Sequence, residues 1–316
     1  MKIVVADGYA LNPGDLSWGE ISSLGELVVY ERTPADLLLE RCIDADVILT
    51  NKTPLPKDVL DKLPKLKLVS VLATGYNIVD VAAAKQNNII VCNVPGYAVV
   101  SVAQYTFALL LALTNHIELH NSSVKAGEWV NNKDWSYSKA PVIELAGKTM
   151  GIIGLGSIGR QTANIAKAFS MKIIYHNRHK KDDAGTAEYV TMQQLFAEAD
   201  VLSLHCPLQP GNNKFVNSDL LNLMKPSAFL VNTARGQLIN EQHLADALNN
   251  NVIAGAALDV LSAEPPQADN PLLTAKNCII TPHIAWNSNE ARLRVMHTTA
   301  QNIRAFVSGT PQNAVS

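Results

Sequence analysis

The sequence predicts an α/β fold with two domains, each built around a doubly wound parallel sheet. The chain has 316 residues, which is more than a single hydrophobic core usually holds. Short apolar runs alternate with helical patterns along nearly the whole chain, as is typical of parallel sheets covered by helices. A glycine-rich turn joins a predicted strand to a predicted helix near the middle of the chain.

The apolar runs of the first hundred residues predict one parallel sheet, in a flavodoxin-like domain that has no glycine-rich turn of the dinucleotide type. The candidate strands are Ile3–Ala6, Leu27–Tyr30, Val47–Leu49, Leu68–Val71 and Ile89–Cys92. Helical patterns cover Pro34–Cys42 and Val79–Lys85. The alternation of strands and helices is what indicates parallel pairing.

A long apolar helix is predicted next, over Ser101–His120. A helix that is apolar on most of its faces is expected to be buried. The segment Asn121–Glu144 then shows little periodicity and carries Trp129 and Trp135. Long irregular segments are usually functional or contact another surface, so we predict a dimerisation arm here.

A second parallel unit is predicted from Lys148 onward, and it ends in a helix over Ser288–Val307 whose end we expect to return to the first domain. Its candidate strands are Thr149–Ile153, Lys172–His176, Val201–His205, Ala228–Asn232, Ile253–Leu258 and Cys278–Thr281.

The glycines Gly154, Gly156 and Gly159 have the G-x-G-x-x-G spacing of a dinucleotide-binding turn. The first permits a sharp turn, the second has no Cβ to block the phosphates, and the third allows helix and strand to pack closely. The N-terminus of the following helix offers N–H groups to an anion. Because strands flank this turn and its helix, a βαβ unit is complete. This context favours a dinucleotide site over a purely structural glycine turn.

The second strand of this βαβ unit lacks, at its end, the acidic residue that binds the ribose 2′-hydroxyl of NAD. The chain instead reads His176, Asn177 and Arg178, followed by further basic residues. Arg178 could form a bidentate pair with a 2′-phosphate, so the sequence favours NADP over NAD. The alternative is a solvated basic loop that Asp182 and Asp183 partly neutralise.

Three residues suited to acid–base chemistry each follow a predicted strand of the second unit. Arg235, Glu264 and His283 are expected to meet, because the carboxyl ends of parallel strands open onto one crevice. The pKa of a free histidine side chain lies near neutrality, which suits proton transfer. A carboxylate on its far ring nitrogen fixes the tautomer, and an arginine polarises a carbonyl or binds a carboxylate. The set suits hydride transfer between a carbinol carbon and a nicotinamide.

Each of these residues also has a structural alternative. Arg235 could be a surface arginine, Glu264 an exposed loop carboxylate and His283 a core histidine. Asp259 could equally assist the site or cap the end of its strand. We expect the other histidines to be structural or surface residues, among them His116, His120, His205 and His243.

Composition excludes several functional classes. The chain is 47% hydrophobic and 17% charged with a net charge of −2, values typical of a globular protein and unlike those of a nucleic-acid-binding protein. Its cysteines Cys42, Cys92, Cys206 and Cys278 are scattered singly, so neither a disulfide framework nor a metal site is expected. Neither a signal peptide nor a membrane-spanning run is expected. We therefore expect a cytoplasmic protein without nucleic-acid or membrane partners.

Six segments of the chain together resemble the D-isomer-specific 2-hydroxyacid dehydrogenases, in family order and over essentially the whole chain. They are Gly151–Arg160, His205–Leu208, Met224–Pro226, Asn232–Gly236, Gly255–Val260 and Thr281–Trp286. The resemblance implies a discontinuous substrate domain of residues 1–99 and 287–316 and a dinucleotide-binding Rossmann domain of residues 100–286. It also implies a homodimer with an arm at residues 121–144, and a site in the cleft between domains that close on cofactor and substrate.

The resemblance assigns roles to individual residues. It implies that Arg235 binds the substrate carboxylate and carbonyl, that His283 is the acid/base and that Glu264 orients it. The backbone of Leu72, Ala73, Thr74 and Gly75 is expected to bind the substrate carboxylate, and Trp286 to limit the pocket to a small substrate. The expected cofactor-binding residues are Gly154, Leu155, Gly156, Ser157, Ile158, Gly159, Asn177, Arg178, His205, Cys206, Pro207, Thr233, Ala234 and Asp259.

Within this family, Asp7–Tyr9, Asn12–Asp15 and Leu72–Asn77 look most like the glycerate dehydrogenases, also called hydroxypyruvate reductases. The expected reaction is reduction of hydroxypyruvate to D-glycerate with NADPH or NADH, and of glyoxylate to glycolate. One alternative is another D-2-hydroxyacid dehydrogenase, such as a D-lactate type. The other is a dinucleotide-sensing binding protein, which the lack of a polar, low-hydrophobicity extension disfavours.

Overall fold

The computed structural model describes residues 1–315, which divide into two compact units. The first unit is Met1–Ala98 together with the chain from Asn287 onward. The second unit is Val99–Trp286. The assignment of a substrate role to the one and a cofactor role to the other stays a prediction.

The first unit contains a parallel sheet of five strands in its described residues, in the order β2-β1-β3-β4-β5. The elements before Ala98 are β1 (Lys2–Val5), α1 (Gly19–Ser22), β2 (Glu26–Val29), α2 (Leu38–Cys42), β3 (Val47–Thr50), α3 (Lys57–Leu60), β4 (Leu68–Val71), α4 (Val81–Gln86) and β5 (Ile90–Cys92), with short 3-10 helices at Gly8–Ala10 and Ala35–Leu37. This strand order is that of a flavodoxin-like doubly wound sheet, which confirms the predicted fold class.

The second unit contains a parallel sheet of seven described strands, in the order β12-β11-β10-β9-β6-β7-β8. Its elements are α5 (Val99–Asn115), α6 (Ile117–Lys125), β6 (Thr149–Ile153), α7 (Ser157–Ala168), β7 (Lys172–His176), β8 (Glu188–Tyr189), α8 (Met192–Glu198), β9 (Val201–Leu204), α9 (Ser218–Leu221), β10 (Phe229–Asn232), α10 (Glu241–Asn249), β11 (Gly255–Leu258) and β12 (Cys278–Ile280), with 3-10 helices at Gly236–Leu238 and Pro271–Thr274. Because β9 and β7 lie on opposite sides of β6, the order reverses at β6 as in a Rossmann sheet.

The sheet of the second unit is buried on both faces. Along β10, Leu230 packs into one apolar cluster, whereas Phe229 and Val231 pack into the other. Successive side chains of a strand point to opposite faces, so a strand buried on both sides must be apolar at every position. This requirement explains why the strands of the chain read as continuous apolar runs rather than as alternating ones.

The prediction of one helix over Ser101–His120 is wrong. The helix ends at Asn115, and α6 begins at Ile117 with a bend of 56° between the two. His116 causes the break because it adopts a left-handed conformation with φ of +48°, which no α-helix can accommodate. The first residues of the predicted irregular arm are accordingly helical, since α6 continues to Lys125.

The last helix, α11 (Asn289–Val307), completes the first unit. Ser288 caps its N-terminus by accepting the N–H of Ala291. The buried Arg292 pairs with Asp15, Nη2 lying 2.6 Å from Oδ2. Within the described residues, no single helix is long and apolar enough to cross a membrane, although α5 and α6 meet that criterion as a bent pair.

Candidate active site

The glycine turn between β6 and α7 has a different constraint at each glycine. Gly154 has φ of +97°, and a Cβ there would lie 2.6 Å from the backbone nitrogen of Cys206. A Cβ on Gly159 would lie 2.2 Å from the carbonyl oxygen of Gly154. A Cβ on Gly156 would meet no described atom within 4 Å. Two glycines thus allow close backbone packing, and the middle one leaves open space beside the turn.

The helix that follows this turn begins without a capping side chain in the described chain. Its N-cap residue is Gly156, and α7 runs for 12 residues from Ser157. The free N–H groups and the positive dipole end of such a helix attract anions. The turn, the open space at Gly156 and the uncapped helix therefore fit the pyrophosphate of a nicotinamide dinucleotide.

The residue that follows β7 supports the turn with its side chain. Asn177 Oδ1 accepts a hydrogen bond from the backbone N–H of Leu155 at 2.7 Å. The next residue, Arg178, is exposed, and its guanidinium donates to Oε1 of Gln209. An amide and a basic group thus stand where NAD-specific sites hold a carboxylate.

His205 follows β9 and lies against the glycine turn. Its backbone N–H donates to the carbonyl of Ile153 at 2.7 Å, and its Nε2 lies 2.9 Å from Oγ of Ser203. Burial lowers the pKa of His205 to about 4, so the imidazole is neutral at pH 7. Burial likewise raises the pKa of the Cys206 thiol to about 11. The predicted cofactor contacts of these two residues stay predictions.

Arg235 follows β10 in a turn that a buried asparagine holds. Asn232 Oδ1 accepts the N–H of Ala234 at 3.0 Å, and its Nδ2 donates to the carbonyl of Arg235 at 2.9 Å. The guanidinium of Arg235 is exposed and donates to the carbonyl of Ala234 at 2.7 Å. A buried amide can satisfy both ends of a tight turn in this way without adding charge.

The arginine-bearing turn packs directly on the loop that leads to Glu264. A Cβ on Gly236 would lie 1.9 Å from the carbonyl carbon of Leu261, so no other residue fits here without moving the backbone. Gln237 Nε2 also donates to the carbonyl of Ser262 at 2.9 Å. The two loops are therefore held as one piece.

His283 and Glu264 form a close pair. Nδ1 of His283 lies 2.6 Å from Oε2 of Glu264, and Oε1 accepts the N–H of Leu261 at 3.2 Å. The two side chains are 28% and 36% exposed, so a small molecule can reach them. Because Nδ1 is engaged by the carboxylate, Nε2 is the ring nitrogen left to exchange a proton with a substrate.

Asp259 holds the loop that carries His283. It is 1% exposed, and its carboxylate accepts hydrogen bonds from the Thr281 hydroxyl at 2.6 Å and from the N–H groups of Ile284 and Ala285 at 2.9 and 2.8 Å. Its carbonyl accepts the N–H of His283 at 2.8 Å. Burial raises the pKa of Asp259 against the opposing effect of these donors. Both carboxylate oxygens are occupied by this loop, so Asp259 acts on His283 through the backbone.

Two hydroxyls of α5 brace the same loops, and sequence reasoning missed both. Ser101 Oγ donates to the carbonyl of Ala285 at 2.6 Å, and Thr106 Oγ1 lies 3.1 Å from Oγ1 of Thr233. Both α5 residues are buried. The available signal was the presence of hydroxyl residues within an otherwise apolar helix, since buried hydroxyls need partners.

The segment Leu72–Gly75 follows β4 in the first unit. The N–H of Leu72 donates to the carbonyl of Thr50 at 2.8 Å and continues the sheet pattern. The N–H groups of the next three residues have no acceptor within residues 1–315. Consecutive unpaired N–H groups at a strand end are suited to binding an anion.

The second unit joins the predicted catalytic residues His283 and Glu264 by a direct hydrogen bond, and it joins His283 to Asp259, which was predicted to bind the cofactor, through the backbone. The turn of Arg235 is held against the Glu264 loop, whereas Leu72–Gly75 belongs to the first unit. Among the described residues no group of three or more His, Cys, Asp or Glu side chains could hold a metal ion.

Comparison with known proteins identifies the family. Residues 107–285 match the family model described as D-isomer specific 2-hydroxyacid dehydrogenase, NAD binding domain. A hydroxypyruvate reductase from Blautia hydrogenotrophica is 47% identical over 100% of both chains. A glycerate dehydrogenase from Methylorubrum extorquens is 38% identical over 99% of this chain and 98% of its own.

A solved structure shows the same likeness in three dimensions. An acyclic imino acid reductase in complex with NADPH and D-Arg is 34% identical over 100% of both chains, with a TM-score of 0.87. The sequence match spans both units, and the family model includes the glycine turn and the loops of Arg235, Glu264 and His283. The chain therefore belongs to the D-isomer-specific 2-hydroxyacid dehydrogenase family, whose members use a nicotinamide dinucleotide.

Proposed function

We propose that this protein reduces hydroxypyruvate to D-glycerate, with glyoxylate as a second substrate. The observation that carries the chemistry is the 2.6 Å contact between His283 Nδ1 and Glu264 Oε2, on a loop that Asp259 braces. The choice of hydroxypyruvate is supported by the name of the Blautia relative, which is 47% identical over the full chain.

His283 is proposed to supply the proton. In reduction, the imidazolium donates the Nε2 proton to the carbonyl oxygen of the 2-oxo acid, while Nδ1–H stays hydrogen-bonded to Glu264. The carboxylate stabilises the charged ring before transfer and fixes the tautomer afterwards. In the reverse direction the neutral ring accepts the hydroxyl proton at Nε2.

Arg235 and the backbone of Leu72–Gly75 are proposed to hold the substrate. The exposed guanidinium of Arg235 can bind a carboxylate and polarise the adjacent carbonyl. The unpaired N–H groups that follow Leu72 support a second contact to the carboxylate. We propose that Trp286 limits the pocket to small substrates.

The glycine turn and the start of α7 are proposed to bind the cofactor pyrophosphate. When bound, the dinucleotide supplies the hydride that is added to C2 of the substrate. We propose a preference for NADPH, because Asn177 presents a neutral amide and Arg178 an exposed cation beside the turn. A carboxylate there would repel a 2′-phosphate, whereas a guanidinium attracts one.

The segment after α6 is proposed to be a dimerisation arm. Val130 and Trp135 are each 87% exposed, which is unusual for apolar side chains on a monomer surface. Trp129 Nε1 donates to the carbonyl of Trp135 at 2.9 Å, and Ser123 Oγ lies 2.7 Å from the Tyr137 hydroxyl. A second copy of the chain is the proposed partner, and light scattering that gives one chain per particle would reject it.

A cytoplasmic location is also proposed. Cys42, Cys92, Cys206 and Cys278 are all free thiols in the described chain, and a reducing compartment preserves thiols. Fractionation of cells that express a tagged form of this chain, followed by detection of the tag in each fraction, tests this assignment.

A substrate panel tests the main proposal. The purified protein is assayed by NADPH absorbance with hydroxypyruvate, glyoxylate, pyruvate, and a 2-oxo acid mixed with an amine. We expect kcat/KM to be greatest for hydroxypyruvate. A greater value for pyruvate would indicate a D-lactate type, dependence on the amine would indicate imine reduction, and binding without turnover would indicate a sensor.

A paired variant tests the cofactor preference. Arg178→Ala is expected to raise KM for NADPH about tenfold and leave that for NADH nearly unchanged, because one charge-assisted contact is lost. Lys180→Ala removes a nearby exposed cation as the matched control. Equal losses with both nucleotides, or a strong wild-type preference for NADH, would contradict the assignment.

A further inference from the structure

The segment proposed to bind the substrate carboxylate has each of its first three carbonyl groups tied to a neighbouring part of the first unit. The carbonyl of Leu72 accepts Nδ2 of Asn51 at 3.1 Å. The carbonyl of Ala73 accepts the N–H of Val94 at 3.0 Å. The carbonyl of Thr74 accepts Nδ2 of Asn93 at 2.8 Å, completing the set.

In this arrangement the carbonyl oxygens of the segment are engaged, and its N–H groups are left to bind a ligand. Carbonyl oxygens repel a carboxylate, whereas N–H groups bind it. With the carbonyls engaged, the N–H groups of Ala73, Thr74 and Gly75 are the ones without an acceptor among the described residues. The Thr74 hydroxyl is likewise engaged, because it donates to the carbonyl of Val94 at 2.8 Å.

Asn93 is in turn held by the C-terminal part of the chain. Asn302 on α11 donates from Nδ2 to the carbonyl of Asn93 at 2.9 Å. Asn313 Nδ2 donates to Oδ1 of Asn302 at 2.9 Å, and the carbonyl of Asn313 accepts the N–H of Asn93 at 3.1 Å. The three asparagines therefore close a ring of hydrogen bonds behind Thr74.

Two of the three asparagines are buried, and the ring is anchored to the sheet. Asn302 is fully buried and Asn93 is 8% exposed. The tail beyond Asn313 pairs with the edge of β5, since Ala314 forms an antiparallel bridge with Cys92. The ring is uncharged throughout, so it braces the segment without repelling an anion.

We propose that Asn93, Asn302 and Asn313 are positioning residues for the substrate carboxylate, and that the C-terminal tail sets affinity for the 2-oxo acid through them. The inference rests on the proposed function, because it assigns the carboxylate to Leu72–Gly75. It adds that residues far along the chain, which touch no substrate, determine how well that segment presents its N–H groups.

The sharpest test is Asn93→Asp. The change keeps the shape of the side chain but replaces the Nδ2 donor with an oxygen facing the Thr74 carbonyl. KM for hydroxypyruvate is expected to rise at least about tenfold, because the change removes one buried hydrogen bond and also places a negative charge behind the segment. We expect kcat at saturation to stay within about twofold and Kd for NADPH to stay unchanged, since neither depends on this segment.

A second substrate separates positioning from general damage. The amide of hydroxypyruvate carries no negative charge and binds N–H groups more weakly, so its kcat/KM should fall much less than that of the acid in Asn93→Asp. Asn313→Gly removes one side chain of the ring, and glycine tolerates the φ of +53° found there. It is expected to raise KM for the acid about threefold by loosening Asn302. Asn87→Ala changes an exposed asparagine of α4's C-terminus as the matched control.

Unchanged KM in both ring variants of an active enzyme would overturn this inference alone. Equal losses with the acid and the amide would also overturn it, because they would show a general structural role. If Asn93→Asp fails to fold, Asn313→Gly decides the question by the same ratio. A wild type that reduces none of the 2-oxo acids would instead overturn the proposed function, and the inference with it.

Discussion

Two loops that follow parallel strands are braced by opposite chemistry. In the first unit, Leu72–Gly75 is held by backbone groups and by the neutral amides of Asn51 and Asn93. In the second unit, the loop of His283 is held by the buried carboxylate of Asp259. The difference matches what each loop is proposed to carry: an anion in the first case and a transient cation in the second.

A group that supports a binding loop must suit the charge that the loop binds, as well as hold the shape of the loop. A carboxylate behind the first loop would oppose binding of a substrate carboxylate through the protein interior, where charge interactions are weakly screened. Behind the second loop, the carboxylate of Glu264 contacts the ring of His283 directly, and that of Asp259 holds the backbone of the loop. In direct contact with the loops, the first unit thus places neutral amides and the second unit a carboxylate.

The largest expected effect comes from removing the proposed acid/base itself. His283→Ala should lower kcat by about 10² to 10⁴-fold, the usual contribution of general acid–base catalysis. Binding of NADPH, measured by fluorescence titration, should be retained because the glycine turn is untouched. His297→Ala removes an exposed histidine of α11 as the control. Near-normal turnover of His283→Ala would reject the role.

The next effect tests the charged brace. Asp259→Asn keeps the shape of the side chain but turns a donor toward Thr281 or the N–H groups of the loop. The loop then loses support for the left-handed conformation of His283, whose φ is +55°. We expect kcat to fall about 10- to 100-fold and the free energy of unfolding to drop by about 1 to 3 kcal/mol. Asp246→Asn on the exposed face of α10 is the matched control. Full activity with a normal melting temperature would show that the brace is dispensable.

Whether the sequence predicts a feature depends on how far apart along the chain its residues lie. The parallel sheets and the glycine turn were predictable because apolar runs and glycine spacing are local signals. The break at His116 could not be predicted in this way. The apolar pattern continues past this residue, and a histidine side chain is only a weak sign of a left-handed conformation.

The residues that support these loops could not be predicted from the sequence, whereas candidate site residues on the loops could be. Arg235, Glu264 and His283 stand at strand ends, where a parallel sheet gathers them. Asn302 reaches Asn93 across 209 positions of the chain, and an amide that bonds to a backbone carbonyl leaves no spacing pattern. The need for glycine at position 236 likewise leaves no signal in the sequence, because the close approach to Leu261 exists only in three dimensions.

The third effect is a pH dependence that arises from His205 in the second unit. The pKa of His205 falls from 6.5 to about 4 on burial. Between pH 6.5 and 4, His205 binds a proton in the unfolded chain but not in the folded one. The stability that is present above pH 6.5 is therefore lost as the pH falls towards 4. Between pH 6.5 and 5, about 1 to 2 kcal/mol of unfolding free energy should disappear on this account.

Urea unfolding at pH 7 and pH 5 measures this change, with wild type compared to His205→Asn. The variant should lose less stability on acidification, because asparagine does not titrate. His297→Gln, which replaces an exposed histidine, should keep the wild-type dependence. The neutral ring of Asn93 and Asn302 adds no titrating group, so KM for the 2-oxo acid should not follow the His205 transition. Equal acid sensitivity of wild type and His205→Asn would contradict the assignment.

The smallest effect separates hydrogen bonding from charge within the His283 loop. Ser101 donates to the carbonyl of Ala285 at 2.6 Å, so it braces the loop that Asp259 also holds but carries no charge. Ser101→Ala should lower kcat only about three- to tenfold, as expected for one neutral hydrogen bond, with KM nearly unchanged. Ser22→Ala in α1, which removes an exposed hydroxyl that bonds within its own helix, is the control. If Ser101→Ala lowered kcat as much as Asp259→Asn, hydrogen-bond geometry alone would explain how both residues support the loop. The charge of Asp259 would then not matter for the proposed function of the second unit.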